Sequence, residues 1–145
     1  MKKFTFRLER VREWREKQLA IEEARLERLY SERVLVEQSL ALLEQEARES
    51  EAIVNRKTAV EAFELQAADG FRRYVIAQRA VFAAKLAGWD VRIAEQRQQL
   101  METRRKFELL GKLKDKQWKT WNTDLAREME IQAGEIFLAK WGAER

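Results

Sequence analysis

The stretch LAIEEARLERLYSERVLVEQSLALLEQEARESEAIV, residues 19–54, decides the fold. Counting from Leu19 in alternating steps of three and four gives twelve positions, of which eight are apolar. These positions are Leu19, Glu22, Leu26, Leu29, Arg33, Val36, Leu40, Leu43, Ala47, Ser50, Val54 and Lys57. A 3.5-residue repeat places them on one face of a helix that supercoils with a partner helix.

A second seam of the same kind follows in the other half of the chain. Seven of its nine positions are apolar, and they are Phe82, Leu86, Trp89, Ile93, Gln96, Leu100, Thr103, Phe107 and Leu110. It continues with looser spacing through Trp118, Trp121, Leu125, Met129 and Ile136. Spacing that drifts towards 3.67 indicates a local change of supercoil.

The strongest turn signal between the two seams is the dipeptide Asp69-Gly70. The sequence therefore predicts an all-α fold of two long helices in an antiparallel coiled-coil hairpin. We expect one domain over 1–145, with helix one at about 5–66, a turn at about 67–70 and helix two at about 71–140. Asn55 to Thr58 is a weaker site for fraying of the helix.

The charge is distributed in blocks of alternating sign. The net charge is +4 over residues 1–20, −6 over 21–70, +8 over 71–120 and −2 over 121–145. A fold-back near residue 70 would set block two against block three and block one against block four. Both pairings join opposite signs, which favours an antiparallel hairpin over a parallel dimer.

The composition excludes several kinds of chemistry. The 145 residues include no Cys and no His, so thiolate nucleophiles, zinc–thiolate sites and imidazole bases are absent. No phosphate-binding glycine loop or nucleophile elbow is present. Glu22, Glu23, Glu27 and the cluster Glu44, Glu46, Glu49, Glu51 are interpreted as solvated helix faces. We therefore predict a non-enzymatic protein without cofactor or metal.

Two kinds of surface could serve contact with a partner. Trp14, Trp118, Trp121 and Trp141 would cluster if the two chain termini meet, although packing within the seam is the alternative. A basic stretch contains Arg97, Arg104, Arg105, Lys106, Lys112, Lys114, Lys116 and Lys119. It could hold nucleic acid, but a solvated face paired with the acidic helix is the favoured interpretation. A generic scaffold coiled coil is a further alternative.

Several segments resemble the FliJ family of flagellar type III export proteins. The opening FTFRLERV has Phe4, Phe6, Leu8 and Val11 at the family's positions. VEQSLALLEQE in helix one, FRRYV at 71–75 and the basic RRKFELLGKLKDKQ are also similar. Injectisome stalk proteins share this layout with less sequence similarity.

The resemblance implies a role as the central stalk of a hexameric export ATPase. In that family, an antiparallel coiled coil similar to the stalk of rotary ATPases inserts its paired termini into the ATPase pore. A patch on the hairpin contacts the membrane export gate protein, and members escort export chaperones. We therefore expect a cytoplasmic protein located peripherally at the inner face of the cell membrane.

The resemblance also assigns residues to two surfaces. The gate-contacting patch corresponds to Gln38, Leu42, Phe71, Tyr74 and Gln78. Glu46 and Ser50 stand near positions where family members often carry tyrosine. The end of the hairpin that would face the ATPase is inferred from location alone and includes Phe4, Phe6, Trp14 and Trp141.

Overall fold

The computed structural model describes residues 3–144 and shows a helical hairpin. Helix α1 spans Glu9–Arg56 and helix α2 spans Ala62–Ala143, and the described residues contain no strand. The absence of proline and the abundance of Ala, Leu, Glu, Lys and Arg explain why both helices run unbroken. The predicted all-α hairpin is confirmed.

The predicted turn at 67–70 is wrong. Asp69 and Gly70 lie within α2, where Asp69 forms an i,i+4 ion pair with Arg73. Gly70 does not adopt positive φ, and nothing lies within 4 Å of where its Cβ would be. Helix continues through the dipeptide because Ala68, Phe71 and Val75 keep an apolar face against α1, which offsets the roughly 1 kcal/mol cost of a helical glycine.

The bend lies instead at 57–61, next to the weaker site predicted at Asn55 to Thr58. The buried seam of α1 ends there, because Lys57 occupies the next seam position and is exposed. Lys57 donates to Glu64 at 2.8 Å, and the Leu65 amide donates to the Glu61 carbonyl at 3.1 Å as α2 begins. Acidic side chains in the first turn of a helix also interact favourably with the helix dipole.

The contacts of the chain group into two compact units. One unit is Ile21–Leu100, and the other combines the chain up to Ala20 with the segment from Met101 onwards. Each unit contains part of α1 and part of α2. The single domain expected over 1–145 therefore stays a prediction.

Within the unit Ile21–Leu100, ion pairs show the antiparallel register. Arg33 pairs with Asp90 at 2.7 Å, Glu44 with Arg79 at 2.6 Å and Glu51 with Arg72 at 3.5 Å. Each step forward along α1 is matched by an equal step backward along α2. Block two therefore faces block three, as the charge pattern predicts.

The predicted seams are confirmed up to Val54 in α1 and Leu110 in α2, whereas Trp118, Met129 and Ile136 of the looser continuation are exposed. Eleven of the twelve α1 positions, all except Lys57, are buried or half-buried, and so are all nine α2 positions from Phe82 to Leu110. The α2 seam also begins earlier than predicted, with Glu64, Ala68, Phe71, Val75 and Gln78. Leu43, Val75, Ile93 and Leu100 are the most buried hydrophobic side chains of the described part of this unit.

The other unit shows why the pairing of block one with block four is wrong. Lys114 lies 2.8 Å from Glu9, and the Arg12 guanidinium lies over the Phe107 ring at 5.2 Å. The N-terminal block therefore packs mainly against block three. This shift in register follows from the early bend, which makes α2 82 residues long and α1 only 48.

We expect trypsin to make its first cut between large fragments at Arg56 or Lys57. Both residues are exposed, and the backbone from 57 to 61 is not helical, so a protease can bind it in extended form. Mass spectrometry of a time course measures the order of cuts. The variant R56Q/K57Q should delay that cut. First cleavage at Arg72 or Arg73 would instead indicate that the bend lies at Asp69-Gly70.

Candidate functional site

The gate-contacting patch implied by the resemblance divides into two places on the unit Ile21–Leu100. Phe71 and Tyr74 contact each other with ring centroids 6.2 Å apart, and Tyr74 is exposed. Gln38 and Leu42 are exposed on α1. The Glu44–Arg79 pair sets Leu42 level with about Val81, ten residues or about 15 Å along α2 from Phe71.

Phe71 also lines a pocket of about 170 Å³ between the helices. Its walls include Ala47, Val54, Val75 and the ends of Arg72 and Arg79. Gln78 is half-buried and belongs to the seam. Phe71 and Tyr74 therefore form the part of the predicted patch that the structure brings together.

Phe4 and Phe6, which the sequence analysis assigns to the ATPase-facing end from their location, are packed. Phe6 is buried, and Phe4 is half-buried with its ring centroid 5.9 Å from that of Trp121. The Phe6 carbonyl accepts a hydrogen bond from the Glu9 amide at 3.1 Å, which fixes the entry into α1. Phe4 therefore packs on α2, and neither residue offers a free surface.

The predicted clustering of the tryptophans at the joined termini is wrong. Trp121 contacts Phe4, and Trp141 lies twenty residues further along α2, which is about 30 Å. Trp14 is half-exposed and carries the Arg15 guanidinium 4.7 Å from its ring centroid. A bend at 67–70 would set the two chain ends level with each other, whereas the bend at 57–61 does not.

The end of α2 forms a surface that the sequence analysis only partly identifies. Every residue from Ala126 to Glu144 is exposed. Six large apolar side chains of this segment are exposed, and Ile131 and Leu138 lie on a different side of the helix from Met129. We name the other four, which lie within one half of the helix surface, the C-terminal tip: Met129, Ile136, Phe137 and Trp141. Met129 and Ile136 continue the seam beyond Leu125, whereas Phe137 carries no signal apart from its i,i+4 spacing to Trp141.

The ion pairs between the helices shift the pKa values of the paired groups. Hydrogen bonds from the Arg79 guanidinium lower the pKa of Glu44, and the same bonds raise the pKa of Arg79. A hydrogen bond from Lys114 lowers the pKa of Glu9, and one to Asp90 raises the pKa of Arg33. Each shift favours the charged form, so these pairs hold the register at neutral pH.

Glu22 departs from its interpretation as part of a solvated face. It is buried in the seam, and its carboxylate accepts hydrogen bonds from the Gln96 amide and from Arg25, the latter at 3.0 Å. The Gln96 amide also donates to the Glu22 carbonyl at 3.1 Å. A buried carboxylate with these partners has a structural role in the helix pair.

Arg97 and Lys114 of the basic stretch contribute to the helix pair. The Arg97 guanidinium lies 5.4 Å from the Tyr30 ring centroid and donates to the Tyr30 hydroxyl, and Lys114 binds Glu9. Arg105, Lys112, Lys116 and Lys119 are exposed, and their side chains make no ion pair or hydrogen bond with residues 3–144. Pairing with the acidic helix is therefore wrong for these four.

Residues 3–144 offer neither a metal site nor a membrane-spanning helix. No three or more acidic side chains converge there in a way that could hold a metal ion. Neither helix, over the same residues, has a stretch that is both long and apolar enough to cross a membrane. Comparison of the chain with known protein families, curated proteins and solved structures finds no match.

Proposed function

We propose that this chain is the central stalk of a hexameric type III export ATPase of the flagellar kind, as its resemblance to the FliJ family implies. The observation that carries the proposal is the C-terminal tip. It is an exposed apolar helix end that lies beyond Trp121, which Phe4 contacts, and beyond the half-buried Leu125. Exposed apolar side chains grouped on one helix face are typical of a protein-binding surface.

The stalk function requires contact and no catalysis. A stalk biases the states of a ring by binding its subunits unequally, and unequal binding needs a surface that is not uniform. α1 is acidic over residues 21–56, whereas α2 is basic over 71–120. The two helices would therefore present opposite charges to different subunits of the ring.

The proposed ATPase-facing surface differs from the one inferred from the sequence. Trp141 remains in it because it is exposed, and Met129, Ile136 and Phe137 join it, whereas the exposed Trp14 lies near the level of Phe107 and leaves it. Phe4 and Phe6 leave it because Phe4 packs on Trp121 and Phe6 is buried. The proposal extends to the gate protein, which Phe71 and Tyr74 would contact, and to export chaperones. It places the chain in the cytoplasm, peripherally at the inner face of the cell membrane.

A matched pair of phenylalanine variants tests the role of the C-terminal tip. Phe137 is 67% exposed in one unit, and Phe63 is 76% exposed in the other. We expect F137A to weaken binding to the cognate hexameric ATPase by roughly tenfold or more, since a buried aromatic anchor contributes at least that much to a protein interface. F63A should bind like the parent chain.

Binding and ATP turnover of the purified ATPase are measured with and without the full chain. The proposal predicts that the parent chain binds the hexamer and changes its turnover. If the parent chain does neither, the stalk function is rejected. If it binds but F137A binds equally well, the C-terminal tip is not the contact surface.

A further inference from the structure

We propose that the outer face of α2 between residues 101 and 119 binds anionic lipid headgroups. The face is formed by side chains spaced four, four, three, four and three residues apart along the helix, which we name the basic stripe: Met101, Arg105, Leu109, Lys112, Lys116 and Lys119. This spacing keeps all six on one side of an α-helix. This inference is independent of the proposed stalk function.

The basic stripe lies away from the packed face of the same helix segment. Phe107, Leu110 and Lys114 are half-buried on the packed side, where Arg12 and Glu9 contact Phe107 and Lys114. All six members of the stripe are exposed. The side chains of the four cations make no ion pair or hydrogen bond with residues 3–144, so their charges are available to an anionic partner.

Charge complementarity indicates an anionic partner, and the apolar members indicate lipid. Met101, four residues before Arg105, is 68% exposed, and Leu109, between Arg105 and Lys112, is 55% exposed. A bilayer surface accepts both kinds of side chain, because cationic groups remain among the headgroups while apolar groups enter the acyl boundary. The phosphate backbone of a nucleic acid offers no such apolar contact.

The geometry of the stripe also fits a flat surface. The cations from Arg105 to Lys119 extend along about 21 Å of straight helix on one side. Glu102, Glu108 and Asp115 flank the stripe and reduce the local charge, yet none of the six stripe positions is acidic. Such a stripe would hold the helix parallel to an anionic leaflet.

The test compares two variants of the full chain with the same net charge. One replaces the stripe cations, as R105Q/K112Q/K116Q/K119Q. The control replaces four exposed cations of α1 whose side chains make no ion pair or hydrogen bond with residues 3–144, as R10Q/K17Q/R28Q/R56Q. Because glutamine is a good helix former, both variants should keep the helical circular dichroism of the parent chain.

Co-sedimentation measures binding to vesicles of phosphatidylcholine with phosphatidylglycerol and to vesicles of phosphatidylcholine alone. We expect the parent chain to bind only the anionic vesicles, less strongly at high salt, and the stripe variant to bind roughly 100-fold more weakly. The α1 variant should bind within about threefold of the parent, because the Debye length screens cations outside the contact. L109Q should weaken binding without changing its salt dependence.

Three results would overturn the proposal. The first is that the parent chain does not bind anionic vesicles at low salt. The second is that the two quadruple variants lose binding equally, which would make net charge the cause. The third is that single-stranded DNA displaces the parent chain from vesicles and that the stripe variant no longer binds this DNA. That result would assign the stripe to nucleic acid.

Discussion

The variant I93A is expected to lower the free energy of unfolding by about 2–4 kcal/mol, since Ile93 is one of the most buried side chains of the hairpin. Truncation to alanine removes apolar area from the seam and leaves a space that two helices cannot readily close. A domain of this size has a total stability of about 5–15 kcal/mol. The loss is therefore a large fraction of what holds α1 and α2 together.

The matched control for I93A is V91A. Val91 lies two residues away in α2 but is 58% exposed, whereas Ile93 is 5% exposed. V91A should change the stability by no more than about 0.5 kcal/mol, because exposed positions contribute little packing. Urea unfolding followed by circular dichroism measures both. Equal effects of the two variants would mean that Ile93 does not belong to a packed seam.

The second large effect is expected at Gln96. Its amide donates to the carboxylate and to the carbonyl of Glu22, which is 8% exposed. Q96L removes both hydrogen bonds and leaves the buried carboxylate with Arg25 alone, so we expect a loss of about 1–3 kcal/mol. Q98L, at an exposed position of α2, is the control and should be nearly neutral.

The double variant E22L/Q96L should regain the stability that Q96L loses but should no longer hold one register. A polar pair within an apolar seam specifies alignment at a cost in stability. In the parent chain, a slip of seven residues would set Glu22 against Trp89 or Thr103. Analytical ultracentrifugation should therefore show self-association of the double variant. A strictly monomeric double variant with a single sharp unfolding transition would contradict this role of the pair.

The seams could be predicted because their signal is distributed over many residues. Leu26, Leu43, Ile93 and Leu100 each contribute a weak preference, and the 3.5-residue spacing adds these preferences over many turns. An error at one position, such as Lys57, does not change the face that packs. The fold class and the packed positions therefore followed from the sequence.

The bend could not be placed because its usual signal is local. Asp69-Gly70 is a strong turn dipeptide, but a turn there would expose the apolar face that Phe71 and Val75 pack against α1. The actual bend at 57–61 has neither glycine nor proline. Its only signals are the lapse of the seam at Lys57 and the β-branched Thr58 and Val60, which favour helix less than unbranched residues do.

The candidate surfaces depended on the bend and were predicted less well. When the position of the bend changes by about ten residues, the α1 residue that lies opposite a given α2 residue changes by about twice that number of positions. This shift brings Trp121 to Phe4, leaves Trp141 on an exposed helix end and sets Lys114 beside Glu9. Local surfaces such as Phe71 with Tyr74 were predictable, because their spacing lies within one helix.

The antiparallel pairing of α1 and α2 within one chain is tested most directly by spin labels. The chain contains no cysteine, so labels can be placed at chosen pairs, here E44C/R79C and E44C/D90C. Glu44 contacts Arg79, and Asp90 lies eleven residues, about 16 Å, further along α2. Pulsed electron paramagnetic resonance should give a clearly shorter distance for 44/79 than for 44/90, unchanged on dilution with unlabelled chain. Equal or reversed distances, or a short distance lost on dilution, would contradict the hairpin.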